Sequence, residues 1–80
     1  MKKVLGIYDS SNKLYVEREL YKLSLLGFNT ESRDNEHFTK KYITPCFICL
    51  KHGSPVSQLF GKYSSNKVEM WAKNKLKTIG

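Results

Sequence analysis

The residues that first suggest chemistry in this chain are Cys46 and Cys49, which form a Cys-x-x-Cys pattern. This spacing is typical of dithiol redox sites and of one half of a structural zinc site. The segment Pro45–Lys51 is apolar at both alternating sets of positions, which predicts a strand covered on both faces. Residues three apart on a strand point to opposite faces, so the two sulfurs diverge. We therefore interpret both cysteines as buried core thiols.

Other polar groups offer weaker signals. His37 and His52 are fifteen residues apart, and no Cys or Ser nucleophile accompanies them in a recognisable arrangement. The sequence therefore predicts no catalytic residue, no metal site and no cofactor. Ser10, Ser11 and Asn12 precede a helical pattern, where their oxygens can cap the first helix amides or leave those amides to bind an anion.

Length and composition predict one globular domain over residues 1–80. The chain has 80 residues, of which 40% are hydrophobic and 26% charged, too apolar for intrinsic disorder. No apolar run approaches the roughly 18 to 20 residues that a membrane span needs, and no signal peptide is visible. Two cysteines are too few for a secreted disulfide framework, so we expect a cytoplasmic protein without a membrane partner.

The net charge of +7 belongs to the second half of the chain. Residues 1–39 hold six basic and six acidic residues, whereas residues 40–80 hold eight lysines and one acid, Glu69. Such a field favours phosphates or acidic protein surfaces as partners. The densest part is a basic patch around the last helical pattern, made of Lys62, Lys67, Lys73, Lys75 and Lys77.

Residue types, hydrophobic periodicity and turn signals together predict seven elements. A first strand over Lys3–Tyr8 precedes a helix over 13–26, whose stripe includes Val16, Leu20, Leu23 and Leu26 and which ends at Gly27. A second strand over 28–33 and a short helix over 35–41 follow. The segment 45–51 and the segment 56–60 form a hairpin across a His52-Gly53 turn, with Pro55 at an edge, and a last helix begins after Ser64. The predicted architecture is α/β, a four-stranded mixed sheet in the order β-α-β-α-β-β-α with helices on both faces.

The segment from Ile43 to Leu76, ITPCFICLKHGSPVSQLFGKYSSNKVEMWAKNKL, resembles the second half of the thioredoxin/glutaredoxin-like superfamily. That family carries a cis-proline before an apolar strand, then a hairpin turn, a strand ending at glycine and an amphipathic helix. Pro45, Gly53 and Gly61 stand eight residues apart in the same way. The start Val4–Ser10 is similar to a small tailed-phage thioredoxin or glutaredoxin with one extra residue, which suggests a phage-encoded protein.

The chain departs from the family where thioredoxins and glutaredoxins carry Cys-x-x-Cys. Between the first strand and the first helix it has Asp9-Ser-Ser-Asn12, without cysteine. In the family, the N-terminus of the following helix lowers the pKa of the first thiol. Because this chain has no cysteine at that position, neither dithiol nor monothiol exchange can operate there.

The resemblance therefore implies a redox-inactive protein-binding module rather than an enzyme. Its partner would lie in the family's cis-proline groove, composed here of Thr44, Pro45, Phe60, Gly61, Ser10, Ser11 and Asn12. Two alternatives stay open: a thiol-disulfide oxidoreductase acting through Cys46 or a partner's thiol, and a nucleic-acid or acidic-protein binder acting through the basic patch.

Overall fold

The computed structural model describes residues 2–76 and places four strands and two α-helices in the predicted order. The elements are β1 (Lys2–Tyr8), α1 (Lys13–Leu25), β2 (Asn29–Asp34), a short 3-10 helix (Asn35–His37), β3 (Cys46–Lys51), β4 (Ser54–Phe60) and α2 (Ser65–Lys75).

The four strands form one mixed sheet in the order β2-β1-β3-β4. β1 runs parallel to β2 and antiparallel to β3, and β3 runs antiparallel to β4. The α1 crossover returns the chain to the parallel neighbour, whereas the β3–β4 hairpin needs only a tight turn. The predicted four-stranded mixed α/β sheet is confirmed. The prediction of helices on both faces is wrong, because both α-helices pack on the face that carries Val4, Phe47 and Cys49.

Helix α1 begins and ends close to the predicted residues. Its apolar stripe is buried against the sheet, and Gly27 follows its C-cap Leu26 at a φ of 98°. The amide of Gly27 donates to the carbonyl of Ser24, and the amide of Phe28 donates to that of Leu23. These bonds satisfy carbonyls that the helix end would leave open, in the way of a Schellman motif. Leu26 itself is 48% exposed, so the prediction that it extends the stripe is wrong.

The larger core lies on one face of the sheet, beneath both α-helices. It includes Val4, Val16, Phe47, Cys49 and Val68. The opposite face carries a smaller cluster of Ile7, Cys46 and Ile48, against which Phe38 and Tyr42 pack.

The helix predicted over 35–41 is reduced to the 3-10 turn Asn35–His37. The side chain of Asn35 accepts from the Tyr42 amide at 2.9 Å and donates to the Tyr42 carbonyl at 3.0 Å. These two bonds tie the ends of the segment together as a loop, which is why helical hydrogen bonding does not continue.

The β3–β4 hairpin turns at His52 and Gly53, as predicted. Both residues have positive φ, 54° and 81°, which is the geometry of a type I′ turn. A bulge follows between the pairs Cys49–Ser57 and Leu50–Pro55, and Pro55 lies on the edge strand, where it costs the sheet no hydrogen bond. The Ser64 hydroxyl then accepts from the Lys67 amide at 3.3 Å and caps α2.

Two contacts fix α1 relative to its neighbours. Gly6 on β1 lies directly beneath Val16 and Leu20, so close that a methyl group there would be 2.7 Å from an atom of each. The buried carboxylate of Glu19 accepts from the Ser65 hydroxyl at 2.8 Å, at the first turn of α2. Helix α1 is therefore held against the sheet on one side and against α2 on the other.

Candidate functional site

The loop between β1 and α1 meets the residue before Pro45 through a hydrogen-bonded network. The Asp9 carboxylate accepts from the Ser11 amide at 2.8 Å, from the Ser11 hydroxyl and from the Thr44 hydroxyl. The Asn12 side-chain amide also donates to the Thr44 hydroxyl at 3.3 Å. The structure thus brings together two segments that are more than thirty residues apart in sequence.

These hydrogen bonds hold Asp9 ionised. They lower the pKa of its carboxyl group from 3.8 to about 2, with the Ser11 hydroxyl contributing most and the Thr44 hydroxyl next. Donors aimed at a carboxylate favour its charged form, which explains the direction. The loop therefore carries a negative charge at neutral pH.

The prediction that Ser11 or Asn12 caps α1 with its side chain is wrong. Asn12 occupies the N-cap position, but its side chain makes no bond to the helix amides. Its oxygen instead accepts from the Asp9 amide at 2.9 Å, while its nitrogen reaches Thr44. The Asn12 amide group is used to close the loop and to hold Thr44.

Pro45 lies at the centre of the second half of the site. The Thr44–Pro45 peptide bond is cis, and the Pro45 carbonyl accepts from the Gly61 amide at 2.9 Å. Gly61 has a φ of 105°, a conformation that favours glycine. The Pro45 side chain is buried, and the exposed apolar groups here belong to its neighbours Ile43 and Phe60, which are 74% and 40% exposed.

Tyr15 fixes the chain that leaves Gly61. Its phenol donates to the Tyr63 carbonyl at 2.7 Å and accepts from the Tyr63 amide at 2.9 Å. Burial raises the pKa of Tyr15 above 10, so the phenol keeps its proton and can make both bonds. The segment between β4 and α2 is thereby tied to α1.

We refer to the residues around the buried Pro45, together with Pro45 itself, as the Pro45 site; they are Asp9, Ser10, Ser11, Asn12, Thr44, Phe60 and Gly61. The structure joins Asn12 to Thr44 and Pro45 to Gly61 by hydrogen bonds, and Ser10 is exposed on the loop. These are the residues that the sequence predicted as a groove, with Asp9 added.

The two cysteines lie on opposite faces of β3, as their spacing predicted. Cys49 belongs to the core beneath the helices and Cys46 to the smaller cluster on the other face. Both thiols are free and buried, and burial raises their pKa from 9 to about 11 for Cys46 and about 12 for Cys49. At neutral pH each is a neutral, hydrophobic group.

The predicted basic patch divides into two parts. Lys67, Lys73 and Lys75 line a groove between α2 and β4. The Lys62 ammonium lies elsewhere, 5.5 Å from the centre of the Tyr15 ring. Lys77, the last member of the patch, lies outside the described residues.

Within residues 2–76, the structure also bears on two other kinds of site, metal centres and membrane spans. In this range no three His, Cys, Asp or Glu side chains converge in a way that could hold a metal ion. Neither α-helix combines the length and the hydropathy needed to cross a bilayer.

Among solved structures, the chain is similar to a mutant thioredoxin from Halobacterium salinarum NRC-1. The TM-score is 0.77, and the similarity covers 99% of this chain and 78% of the thioredoxin at 9% sequence identity. The fold is thioredoxin-like. No protein-family model matches the sequence, and no curated protein matches it significantly. At this identity the similarity establishes the fold alone.

Sequence reasoning missed two residues that organise the Pro45 site and the chain that leaves it. Asp9 was placed in the loop but not recognised as the acceptor that joins the loop to Thr44; the Asp-Ser-Ser-Asn series, typical of Asx turns, was the available signal. Tyr15 was not singled out, because a tyrosine within a helix gives no indication of a partner 48 positions away.

Proposed function

We propose that this thioredoxin-like domain is a redox-inactive binding module that holds an extended segment of a protein partner at the Pro45 site. The observation that carries the proposal is the main chain of Ile43 and Thr44. These residues precede β3, and within residues 2–76 their backbone groups make no hydrogen bond. Backbone groups that are exposed and unpaired can pair with an extended peptide.

The side chains around this backbone suit a peptide partner. The exposed Ile43 and Phe60 offer apolar contacts on the two segments that the Pro45–Gly61 hydrogen bond joins. The Asp9 network fixes the Thr44 side chain, so little side-chain entropy remains to be lost there on binding. A preformed surface with apolar contacts and free backbone groups supports recognition of a peptide strand.

The state of the two thiols supports the redox-inactive part of the proposal. The loop at Asp9–Asn12 has no cysteine, and Cys46, the nearest thiol to Pro45, is buried with a pKa of about 11. The thiolate is the nucleophile in disulfide exchange, so Cys46 is unreactive at neutral pH. Catalysed disulfide reduction that disappears in the Cys46→Ala variant would contradict this part of the proposal.

A capture experiment tests the binding function. Immobilised protein is exposed to host-cell lysate in low and in about 0.5 M salt, where charge attraction between surfaces is largely screened. We expect a protein that stays bound in both and is lost from the Phe60→Ser variant. The control is Val56→Ser, which removes an exposed apolar side chain at the other end of β4. Equal capture by both variants would refute the Pro45 site.

The source of the partner depends on the origin of the chain. The phage origin suggested by the segment Val4–Ser10 stays a prediction. If the chain is phage-encoded, the partner would be a protein of the host cell.

The alternative function is binding of nucleic acid through the basic patch. It predicts that capture disappears in high salt and in a Lys73→Glu variant.

A further inference from the structure

A groove between β4 and α2 is lined by residues that do not belong to the Pro45 site. We propose that this groove and the free edge of β4 bind an extended peptide of a partner protein in which an apolar residue is flanked, two positions away on each side, by acidic residues. The proposal does not depend on the Pro45 site, and it is argued from the shape of the groove, the free edge and the charge.

The groove has an apolar floor. The groove is open to solvent and has a volume of about 730 Å³; its apolar lining, which we call the floor, consists of Leu59 of β4 with Met70 and Trp71 of α2. Met70 is 63% exposed and belongs to neither core cluster, so its side chain is available to a partner. A space of this size and character can take one large apolar side chain.

The β4 edge beside the groove is unprotected. β4 lies at one edge of the sheet. Edge strands are normally shielded from pairing with other chains by proline, bulges or charged side chains. Pro55 and the bulge shield its first half, but the pairing with β3 is regular from Ser57 to Phe60, and that stretch has no charged residue. The open half of the edge is the half that borders the groove.

The register shows which backbone groups are free. The Gly61 amide bonds the Pro45 carbonyl, so the alternation of an antiparallel pair makes Phe47–Leu59 the next bonded pair. The amides and carbonyls of Gln58 and Phe60 then point away from β3, toward the free edge. An added strand can pair with them.

The sheet geometry joins the edge to the groove. The residue of an added strand that lies opposite Leu59 points to the same face as Leu59, which is the face covered by α2. Its side chain therefore enters the groove, and so do the side chains two positions before and after it. Residues of the added strand that lie one or three positions from the residue opposite Leu59 point to the other face of the sheet.

Charge selects acidic residues at those flanking positions. Lys67, Lys73 and Lys75 line the groove, and within residues 2–76 Glu69 is the one acid on α2, paired with Lys73 at 2.8 Å. Two carboxylates on the groove face would meet this excess of positive charge. The resulting pattern is acid, any residue, apolar, any residue, acid.

Nucleic acid fits the floor less well. The Trp71 ring packs on Phe47 with 6.5 Å between ring centres, and its indole nitrogen donates to the Ser57 hydroxyl at 3.1 Å. The ring is half-buried, and the exposed part of the floor is the flexible Met70. Base stacking needs an open aromatic face, so an aliphatic side chain is the better occupant.

Two peptides of identical composition test the proposal. The first, acetyl-Thr-Val-Glu-Thr-Leu-Thr-Glu-Val-Thr-amide, places both glutamates on the face of the leucine. The second, acetyl-Thr-Val-Thr-Glu-Leu-Glu-Thr-Val-Thr-amide, places them on the opposite face. Trp71 is the only tryptophan of the chain and lines the groove, so its fluorescence reports binding directly.

We expect the first peptide to bind at least tenfold more tightly than the second, with an affinity that falls as salt rises. The full-length Met70→Glu variant should lose at least tenfold, since it puts a negative charge on the groove floor. Leu25→Glu, which makes the same change at a 67% exposed position of α1, should bind like the parent chain.

Four results would overturn the proposal. They are equal affinity for the two peptides, no Trp71 response up to about 1 mM peptide, unchanged binding in Met70→Glu, and tighter binding of an oligo-dT single strand than of the first peptide. A Phe60→Ser variant that loses the lysate partner but keeps the peptide would separate this groove from the Pro45 site.

Discussion

The contact between Gly6 and α1 gives the sharpest prediction of stability. A methyl group at Gly6 would lie 2.7 Å from Val16 Cγ1 and 2.7 Å from Leu20 Cδ1, about 1 Å inside normal carbon–carbon contact. The Leu20 tip can rotate, but the short, β-branched Val16 cannot, so α1 must move away from the sheet. Gly6 does not have a positive φ, so Gly6→Ala causes no backbone strain and its destabilising effect comes from the lack of space.

The expected cost can be estimated from these contacts. Overpacking a core costs about 1–3 kcal/mol, and the loss of glycine's freedom in the unfolded chain offsets about 0.4–1 kcal/mol of it. The midpoints of these ranges leave a net loss of about 1.3 kcal/mol in the free energy of unfolding, which lowers the melting temperature of a domain of this size by roughly 5–10 °C.

Urea unfolding followed by far-UV circular dichroism measures this loss. The matched variant is Gly6→Ala combined with Val16→Ala, which removes the methyl that collides. If the clash is the cause, the double variant is more stable than the sum of the two single changes predicts. A Gly6→Ala protein as stable as the parent, or two effects that simply add, would refute the close packing of α1 on β1.

Three further predictions concern groups described above. In an NMR titration Asp9 should have a pKa of about 2, and Ser11→Ala should raise it more than Thr44→Val; equal, unshifted values near 3.8 would contradict the network. Tyr15→Phe should lower the free energy of unfolding by about 0.5–1.5 kcal/mol per lost hydrogen bond, measured in urea, whereas Tyr21→Phe on the exposed side of α1 should change it little. The buried thiols of Cys46 and Cys49 should make the free energy of unfolding fall as pH rises from 9 toward 11, because thiols in the unfolded chain lose their protons at lower pH than the buried ones. If the Cys46→Ala, Cys49→Ala double variant loses as much stability over this pH range, the thiols are not the cause.

The elements that sequence predicted correctly are those whose signal is local. The helical spacing of Val16, Leu20 and Leu23, the β-branched and aromatic run of β1 and the His52-Gly53 turn are each contained in a few neighbouring residues, and these predictions are confirmed. The segment 35–41 was predicted as a helix because its residues are compatible with one. The two bonds from Asn35 to Tyr42 close it as a loop instead, and periodicity carries no signal for such a closure.

The site was predictable in outline and not in detail. The resemblance around Pro45 and Gly61 indicated two segments that the structure joins by a hydrogen bond. The role of Asp9 depends on Thr44, 35 residues away, and the capping prediction for Asn12 failed because its side chain bonds groups outside the helix. Competition between local and distant partners for one side chain is decided only in the folded molecule.

The unequal covering of the two sheet faces affects how the domain opens. Cys49 lies beneath two α-helices, and its exposure requires their separation from the sheet. Cys46 lies beneath a loop that is held by the Asn35–Tyr42 bonds and the edge-to-face contact of Phe38 with Tyr42. Segments with few buried contacts open at lower free energy than the core. Under native conditions Cys46 should therefore become accessible through local opening of one segment and Cys49 only through global unfolding, so the two thiols report on two levels of unfolding within one small domain.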